Sequence, residues 1–169
     1  MLTQVIHEIP PLFDADSRVL ILGSFPSVKS REGQFFYHHP QNRFWKTLAA
    51  VTGQEVPQTI EEKRSFLLTN GIAVWDVIAS CEIEGSSDSS IRNVTPNDLS
   101  QILNAAPVEQ IFVNGKTALK YYEKYLRPVT GREAVCLPST SPANAAWKLE
   151  KLTEAWSIIL PAPSRKPQE

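Results

Sequence analysis

The segment FFYHHPQNRFW at residues 35–45 concentrates side chains that suit a pocket for a flat polar ligand. Phe36 and Tyr37 offer ring faces for stacking, and the Asn42 carboxamide offers one acceptor and two donors. This combination is what a pocket needs to hold and read an extruded nucleobase. The alternative interpretation is a loop whose aromatic rings pack onto the core.

The sequence contains no convincing pattern for a metal ion or a cofactor. His38 and His39 are adjacent, so on a strand they would point to opposite faces and could not form a two-histidine site. Cys81 and Cys136 are the only cysteines, too few and too far apart for a zinc pair or an iron–sulfur cluster. The GKT tripeptide at residues 115–117 lacks the upstream glycine that a P-loop requires. We therefore expect no metal and no cofactor.

Four short apolar runs predict buried strands. The segments between these runs are long enough for helices, and such alternation favours a parallel sheet with helical crossovers. The expected fold class is α/β, with a three-layer αβα arrangement around a central four-stranded parallel sheet. The runs occupy residues 18–23, 72–77, 110–113 and 134–137.

Start signals and apolar spacing predict the helices. The Thr-Pro pair at 95–96 and the Ser-Pro pair at 141–142 each give an N-cap residue followed by Pro at the first helical position. The helix after the second pair carries an apolar stripe that we assign to the core. Phe44 and Trp45 are likewise expected in a helix core. Further helices are expected at residues 42–51, 59–69 and 116–125.

Length and composition set the organisation of the chain. The 169 residues fit one domain, which we place at residues 1–160, and the Pro-rich residues 161–169 are expected to be a disordered tail. No apolar run reaches the roughly 18 residues of a membrane helix, and the first residues lack a signal-peptide pattern. We therefore expect a cytoplasmic protein with no membrane partner. The net charge of −1 means that any binding of nucleic acid must rest on a local patch.

Each predicted strand is followed by a polar, glycine-rich or serine-rich loop. These loops are GSFPS after the first strand, DVIAS and GSSDSS after the second, NGK after the third and PSTSP after the fourth. In open α/β sheets, ligands bind in the crevice beyond the carboxyl ends of the strands, which locates the site. Ser24, Asp76 and Asp88 stand at these strand ends, where they either bind a ligand or cap loops.

Two of these loops resemble the motifs of a known superfamily. LILGSFPSVKSREGQFFYHHPQNRFW resembles the first motif region of the mismatch-specific branch of the uracil-DNA glycosylase superfamily, a GxxPxxxS loop followed by an HPxNxFW block. LPSTSPANA at residues 137–145 resembles the second motif, a Pro-Ser-rich loop that enters the minor groove. WDVIASCEIEGSSDSSI at residues 75–91 is similar to a signature of the hypoxanthine-DNA glycosylase family. The resemblance covers residues 18–160.

Two positions depart from the better-known relatives. The third position of the first loop, an Asp or Asn in those families, is Phe25 here, and a phenyl ring cannot activate water. The second motif begins with Leu137 where the classical family has His, so the imidazole that would stabilise a departing uracil anion is missing. The standard mechanism of uracil removal is therefore not expected.

The resemblance implies an enzyme that acts on double-stranded DNA containing a deaminated base. No lysine stands out as a Schiff-base nucleophile, so we expect a monofunctional enzyme, and we expect it to be a monomer without a cofactor. It would flip the nucleotide and hydrolyse the N-glycosidic bond, with hypoxanthine as the first expected base and uracil or xanthine left open. The amide of Asn42 would bind the base or position the water, and Ser24 is the second catalytic candidate. The candidates for binding the base are Gly23, Phe25, Phe36, Tyr37 and Asp76. The candidates for binding DNA are Pro26, Ser27, Ser139, Thr140, Ser141, Pro142 and Asn144.

Four basic residues, Lys29, Arg31, Arg43 and Lys116, are candidates for a local basic rim, although solvated charges are the alternative interpretation. Two other functions remain open. One is a hydrolase or transferase of a free nucleotide or another small phosphorylated ligand that uses the same crevice. The other is a module that binds damaged DNA without cutting it.

Overall fold

A four-stranded parallel sheet forms the centre of the computed structural model, which describes residues 3–84 and 90–160. Its four strands are β2 (Val19–Gly23), β3 (Ile72–Asp76), β6 (Gln110–Asn114) and β7 (Ala134–Leu137). Their order in the sheet is β3-β2-β6-β7. Strands β2 and β3 are buried along their whole length, as the continuous apolar runs predict. The predicted α/β class and four-stranded parallel sheet are confirmed.

The strand register brings the carboxyl ends of the four strands to one edge. Gly23 lies beside Asp76 across the β2–β3 pair. Asn114 lies beside Leu137 across the β6–β7 pair. The polar loops that follow these residues therefore start from neighbouring points.

Helices connect the strands and flank the sheet. Thr59 accepts from the amide of Glu62, and Glu62 closes a capping box, so this helix begins where the sequence predicted. The helices are α1 (Val28–Gly33), α2 (Phe44–Thr52), α3 (Ile60–Thr69), α4 (Ser100–Leu103), α5 (Lys116–Tyr121), α6 (Arg127–Thr130) and α7 (Leu149–Trp156). A π-helical turn at Tyr122–Leu126 joins α5 to α6, and a 3-10 turn at Ser157–Ile159 ends the described chain.

Two predicted helix starts are wrong. The Thr-Pro pair at 95–96 ends a strand, and the following helix is a single short turn from Ser100, whose amide donates to Asp98 Oδ1. The Ser-Pro pair at 141–142 lies in a chain of turns, and α7 starts only at Leu149. The Ser141 hydroxyl accepts from the Ala143 amide and so shapes a local turn instead of capping a helix.

A second sheet, antiparallel and three-stranded, was not predicted from the sequence. It has the order β1-β4-β5 and comprises β1 (Thr3–Ile6), β4 (Ile78–Ile83) and β5 (Arg92–Pro96). Only Val77 separates β3 from β4, so the segment interpreted as a loop continues directly from one sheet into the other. This sheet holds the N-terminal segment against the strand-end edge, because the His7 amide donates to Ala79 O at 2.7 Å.

The aromatic block after β2 enters the hydrophobic core. Phe44 is 0% and Trp45 is 5% exposed at the start of α2, which confirms the expectation for these two rings. Leu152 and Trp156 of α7 are both 0% exposed and pack in the same core cluster. The 35–45 segment is thus anchored in the core by some of its rings. Its remaining residues lie at the edge of the sheet, where they can contact a ligand.

Two expectations fall on residues outside the described ranges, and two others stay predictions. Residues 161–169 and the loop containing Asp88 lie outside the ranges that the structure describes. Within the described ranges, no helix has the length and apolar character needed to cross a membrane. In the same ranges, no three His, Cys, Asp or Glu side chains are grouped so as to hold a metal ion. The single domain at 1–160 and the cytoplasmic location stay predictions.

Candidate active site

A cleft of about 340 Å³ opens at the carboxyl ends of the parallel strands. Its walls come from the loops after β2, β3, β6 and β7, so segments distant in sequence meet around one space. The first loop contributes Gly23, Ser24, Phe25, Pro26 and Ser27. The aromatic block and β3 contribute Phe36, Tyr37, Asn42 and Asp76. The last loop contributes Ser139, Thr140, Ser141 and Pro142.

The buried hydroxyl of Thr140 joins the two motif regions at this cleft. Thr140 is 0% exposed, and its Oγ1 donates to Asn42 Oδ1 at 2.8 Å. The same oxygen accepts from Asn114 Nδ2 at 3.0 Å, and the Thr140 amide donates to Asn114 Oδ1 at 3.1 Å. One threonine therefore fixes the positions of two asparagine side chains that line the cleft.

This network also fixes which end of the Asn42 carboxamide is available to a ligand. Asn42 Oδ1 accepts from the Phe44 amide at 2.9 Å as well as from Thr140, so both of its acceptor positions are used. The Asn42 Nδ2 group has no hydrogen-bond partner among the residues described. Asn42 therefore faces the cleft as a hydrogen-bond donor.

Arg43 holds the last loop in place rather than forming a basic rim. Its backbone amide donates to Thr140 O at 3.0 Å. Its guanidinium donates to the carbonyl oxygens of Ser141 and Asn144, each at 3.0 Å, and to that of Trp147. Asn144 does not line the cleft, and its side chain donates to Ser139 O at 3.0 Å. The loop shape thus depends on the residue next to Asn42.

The floor of the cleft is formed where β2 and β3 end. A Cβ added to Gly23 would lie 2.4 Å from Asp76 Oδ1 and 3.0 Å from the Tyr37 hydroxyl. Only a glycine leaves room for these two oxygens to approach the backbone. Asp76 is 4% exposed and is the only carboxylate that lines the cleft among the described residues.

Tyr37 presents a buried hydroxyl to this floor. Its ring stacks on Phe44 with centroids 3.9 Å apart, and its backbone adopts a positive φ of 49°, which is uncommon for a residue with a side chain. The hydroxyl is buried without a hydrogen-bond partner in the described structure. Burial raises the pKa of the phenol far above its ordinary value, and the charge of Asp76 raises it further. The Asn114 side chain lowers this pKa to a smaller extent, although it forms no hydrogen bond of normal geometry with the hydroxyl. The phenol therefore keeps its proton and can donate it to a ligand.

The side walls are aromatic and the outer rim is basic. Phe36 is 2% exposed, and Phe25 is half-buried with the Arg31 guanidinium 5.6 Å from its ring centroid. Arg31 also donates to Pro26 O at 2.9 Å. Lys29 and Lys116 are exposed residues that line the cleft, so two of the four predicted rim cations lie at its mouth.

Sequence reasoning missed two residues of the site. Asn114 is the last residue of β6, and the strand-end rule that singled out Asp76 would have found it if applied to every strand. His7 lies behind the cleft, where its ring bonds Asp76 Oδ2 at 2.8 Å. Its only sequence signal is an imidazole within the apolar run VIHEI, and the strand pairing that brings it to Asp76 was not predicted.

The α/β fold and the strand-end cleft between a GxxPxxxS loop and a Pro-Ser-rich loop together define a class of protein. Comparison with known proteins identifies this class. Residues 10–160 match the sequence profile of the Uracil DNA glycosylase superfamily, and the chain belongs to this superfamily. It is 35% identical over 152 residues to a protein of Methanosarcina acetivorans named Hypoxanthine DNA glycosylase, covering 89% of this chain and 94% of the relative. A protein of Methanosarcina barkeri with the same name is 34% identical over 137 residues, which cover 80% of this chain and 85% of the relative.

A solved structure has the same fold. The solution NMR structure of a Methanosarcina acetivorans protein, provisionally named a uracil DNA glycosylase, superposes with a TM-score of 0.77 at 34% identity. The match covers 90% of this chain and 94% of the other chain. The expected membership of the superfamily is therefore confirmed along most of the chain.

Replacement of Arg43 by Lys tests how the last loop is held. A lysine cannot reproduce a guanidinium that bonds three carbonyl oxygens at once, so we expect the loop to open more often. The Asn144 and Trp147 amides donate to carbonyls within this loop, and their hydrogen exchange reports that opening. We expect exchange of both amides to accelerate by roughly 10-fold or more, since each lost hydrogen bond contributes on the order of 1 kcal/mol.

Arg127→Lys is the matched control, because the Arg127 guanidinium bonds only Glu123 and Glu133 among the described residues. It should leave both amides unchanged. Unaltered exchange in Arg43→Lys would mean that the loop holds its shape without the guanidinium.

Proposed function

We propose that the protein is a DNA glycosylase that removes hypoxanthine from double-stranded DNA by hydrolysing the N-glycosidic bond of a flipped nucleotide. The observation that carries the proposal is the cleft in which a fixed amide donor, a buried carboxylate and a buried phenol face one space. The cleft volume of about 340 Å³ is within the range of pockets that hold small ligands. Two relatives at 35% and 34% identity named Hypoxanthine DNA glycosylase support this choice of base.

Asn42 supplies the main catalytic interaction in this proposal. Loss of the base leaves an oxocarbenium-like sugar and places negative charge on the departing purine. A donor held ready before the reaction stabilises that charge best, because no reorganisation is needed as the charge develops. The Asn42 amide nitrogen is such a donor. Its oxygen already accepts two hydrogen bonds, which favours binding of the base over positioning of the water.

The remaining residues bind the extruded nucleotide and its backbone. Phe36 and Phe25 cover the base, and Ser24 with the backbone amides of the first loop contacts the flanking phosphate. Pro142 is exposed in the last loop, where it can wedge into the vacated stack. Lys29 and Lys116 attract phosphates at the mouth, so a net charge of −1 does not oppose DNA binding.

The proposal is tested with labelled duplexes that each contain one inosine, uracil or xanthine. A monofunctional glycosylase, acting as a monomer, leaves an abasic site, so the strand should break only after alkali. Inosine should be processed fastest. Activity on free deoxyinosine alone would instead favour a nucleotide hydrolase, and binding without an abasic product would indicate a damage-binding module.

Replacement of Asn42 separates its catalytic role from its structural one. Asn42→Ala removes both the donor and the oxygen that accepts from the Phe44 amide and Thr140, whereas Asn42→Asp keeps that oxygen. We expect both variants to slow inosine excision by at least about 100-fold, as for the loss of a preorganised donor. Only the alanine variant should melt at a lower temperature.

Gln41→Ala is the matched control, because Gln41 is an exposed neighbour of Asn42. This variant should excise inosine at the wild-type rate. Near-normal excision by Asn42→Asp would remove the amide donor from the mechanism.

Replacement of Gly23 by Ala tests the floor of the cleft. The new methyl group would fall on the Asp76 carboxylate and the Tyr37 hydroxyl and displace both oxygens. We expect single-turnover excision of inosine to fall by at least about 100-fold, since a displacement of about 1 Å can have this effect. Affinity for a duplex with a stable abasic analogue should change little, because no base enters the floor.

Gly53→Ala is the matched control. Gly53 also has a positive φ, of 69°, and ends α2 with nothing within 4 Å of an added Cβ, so its replacement strains the backbone without altering the cleft. Excision by Gly53→Ala should match that of the wild type. Normal excision by Gly23→Ala would contradict a base site at this floor.

A further inference from the structure

His7 and Asp76 form a buried pair directly behind the cleft. His7 Nε2 lies 2.8 Å from Asp76 Oδ2, and the two side chains are 1% and 6% exposed. The imidazole is enclosed by aromatic rings, with centroids 6.0 Å away at Phe25 and 6.3 Å away at Trp75. A polar side chain buried in such surroundings is costly unless its hydrogen bonds are satisfied, so the orientation of this pair is tightly fixed.

The backbone determines which imidazole nitrogen carries the proton. The Ile9 amide donates to His7 Nδ1 at 3.2 Å, so Nδ1 acts as an acceptor and carries no hydrogen. The proton of the neutral ring is then on Nε2, where it is donated to Asp76 Oδ2. Asp76 Oδ2 therefore accepts a hydrogen bond from His7 Nε2, and this nitrogen cannot become an acceptor while Nδ1 accepts from Ile9.

The second carboxylate oxygen is left for the cleft. Asp76 Oδ1 lies against Gly23 and has no hydrogen-bond partner among the described residues. It is not one of the fully buried unpaired atoms, so a ligand in the cleft can reach it. The Tyr37 hydroxyl approaches the same point of the floor and retains its proton. The floor thus presents an acceptor and a donor side by side.

We propose that His7 is a positioning residue that holds Asp76 as a pure acceptor, and that the Asp76–Tyr37 floor thereby selects bases with a lactam edge. Such a base has an N–H next to a C=O, so the N–H donates to Asp76 Oδ1 and the C=O accepts from Tyr37. Hypoxanthine has this edge at N1 and O6. Adenine has an acceptor at N1, which would face the acceptor Asp76 Oδ1, and an amino group at C6, which cannot accept the hydrogen bond that Tyr37 donates. The inference rests on the proposed function and identifies how that site recognises its substrate class.

The same edge distinguishes other deaminated bases from their parents. Uracil carries a lactam at N3 and O4, whereas cytosine carries an acceptor and an amino group at these positions. The recognition is therefore for the chemical product of deamination. Guanine has the same lactam as hypoxanthine, so this floor does not discriminate against it.

A double-mutant cycle between His7 and Asp76 tests the inference, with single-turnover excision of inosine as the readout. In Asp76→Asn, His7 still donates, so the carboxamide must turn its oxygen to His7 and its NH₂ to the cleft. Two donors then face each other at N1, and we expect excision to slow by at least about 100-fold, as in sites whose polar groups are left unpaired. In His7→Leu with Asp76 intact, we expect a loss of roughly 10-fold, because the carboxylate is less well positioned.

The decisive variant is His7→Leu/Asp76→Asn. Without the imidazole, the carboxamide is free to turn its oxygen to the cleft and accept from N1, so the double variant should excise inosine faster than Asp76→Asn alone. A purely structural role for His7 predicts the opposite, since the second substitution would only add damage. A role for the Asp76 charge in activating water or stabilising the sugar cation predicts that both variants are equally inactive. Either of those results would overturn the inference.

Two controls complete the cycle. His7→Gln keeps a donor near Asp76 and should restore most of the activity lost in His7→Leu, while affinity for a duplex with an abasic analogue should be alike in all variants. His7→Phe replaces His7→Leu throughout if the leucine variant does not fold. Excision of inosine by the wild type tests the proposed function separately. If the wild type does not excise inosine, the proposed function is wrong. If it does and the effects of the two substitutions simply add, only the inference about His7 and Asp76 is wrong.

Discussion

The buried hydroxyl of Thr140 is the interaction on which the candidate site depends. It donates to Asn42 and accepts from Asn114, and the Thr140 backbone bonds Asn114 and Arg43 at the same place. Loss of any partner would leave a buried polar group unsatisfied, at a cost of roughly 1–3 kcal/mol. The loops that carry Asn42 and Thr140 are 98 residues apart in sequence, and this network gives them one relative position.

Two hydrogen-bond donors that line the cleft have no partner among the described residues. The Asn42 amide nitrogen and the Tyr37 hydroxyl are donors, and the neighbouring Asp76 oxygen is an acceptor. Native proteins rarely leave buried polar groups unpaired, so the buried Tyr37 hydroxyl indicates a place where a ligand completes the hydrogen bonding. The positive φ of Tyr37 is consistent with this, because uncommon backbone conformations cluster at functional sites.

Much of the fold could be predicted from the sequence because its strong signals are local. The continuous apolar run of β2 requires burial on both faces, and the capping box at Thr59 marks a helix start without reference to the rest of the chain. The antiparallel sheet was missed because its edge strands are short and largely exposed, so neither β1 nor β5 has a strong periodic pattern. The Ser-Pro pair at 141–142 was misleading because a side chain that caps a helix can equally close a turn.

The site residues that stand at strand ends could be predicted from the sequence. Those that reach the site only through tertiary pairing could not. Asp76 and the two motif loops stand directly after apolar runs, so the edge of the sheet brings them together. His7 reaches Asp76 only through the pairing of β1 with β4. The role of Arg43 was also hidden, since nothing in the sequence shows that its guanidinium meets carbonyl oxygens instead of solvent or phosphate.

The most direct test is the rate of inosine excision by Thr140→Val, which keeps the shape of the side chain and removes only the hydroxyl. Thr153→Val, whose hydroxyl bonds Leu149 O on an exposed helix surface, is the matched control. The account predicts that the Thr140 variant remains folded and excises inosine at least about 100-fold more slowly, because Asn42 and Asn114 lose their fixed positions. Wild-type excision rates in both variants would contradict it.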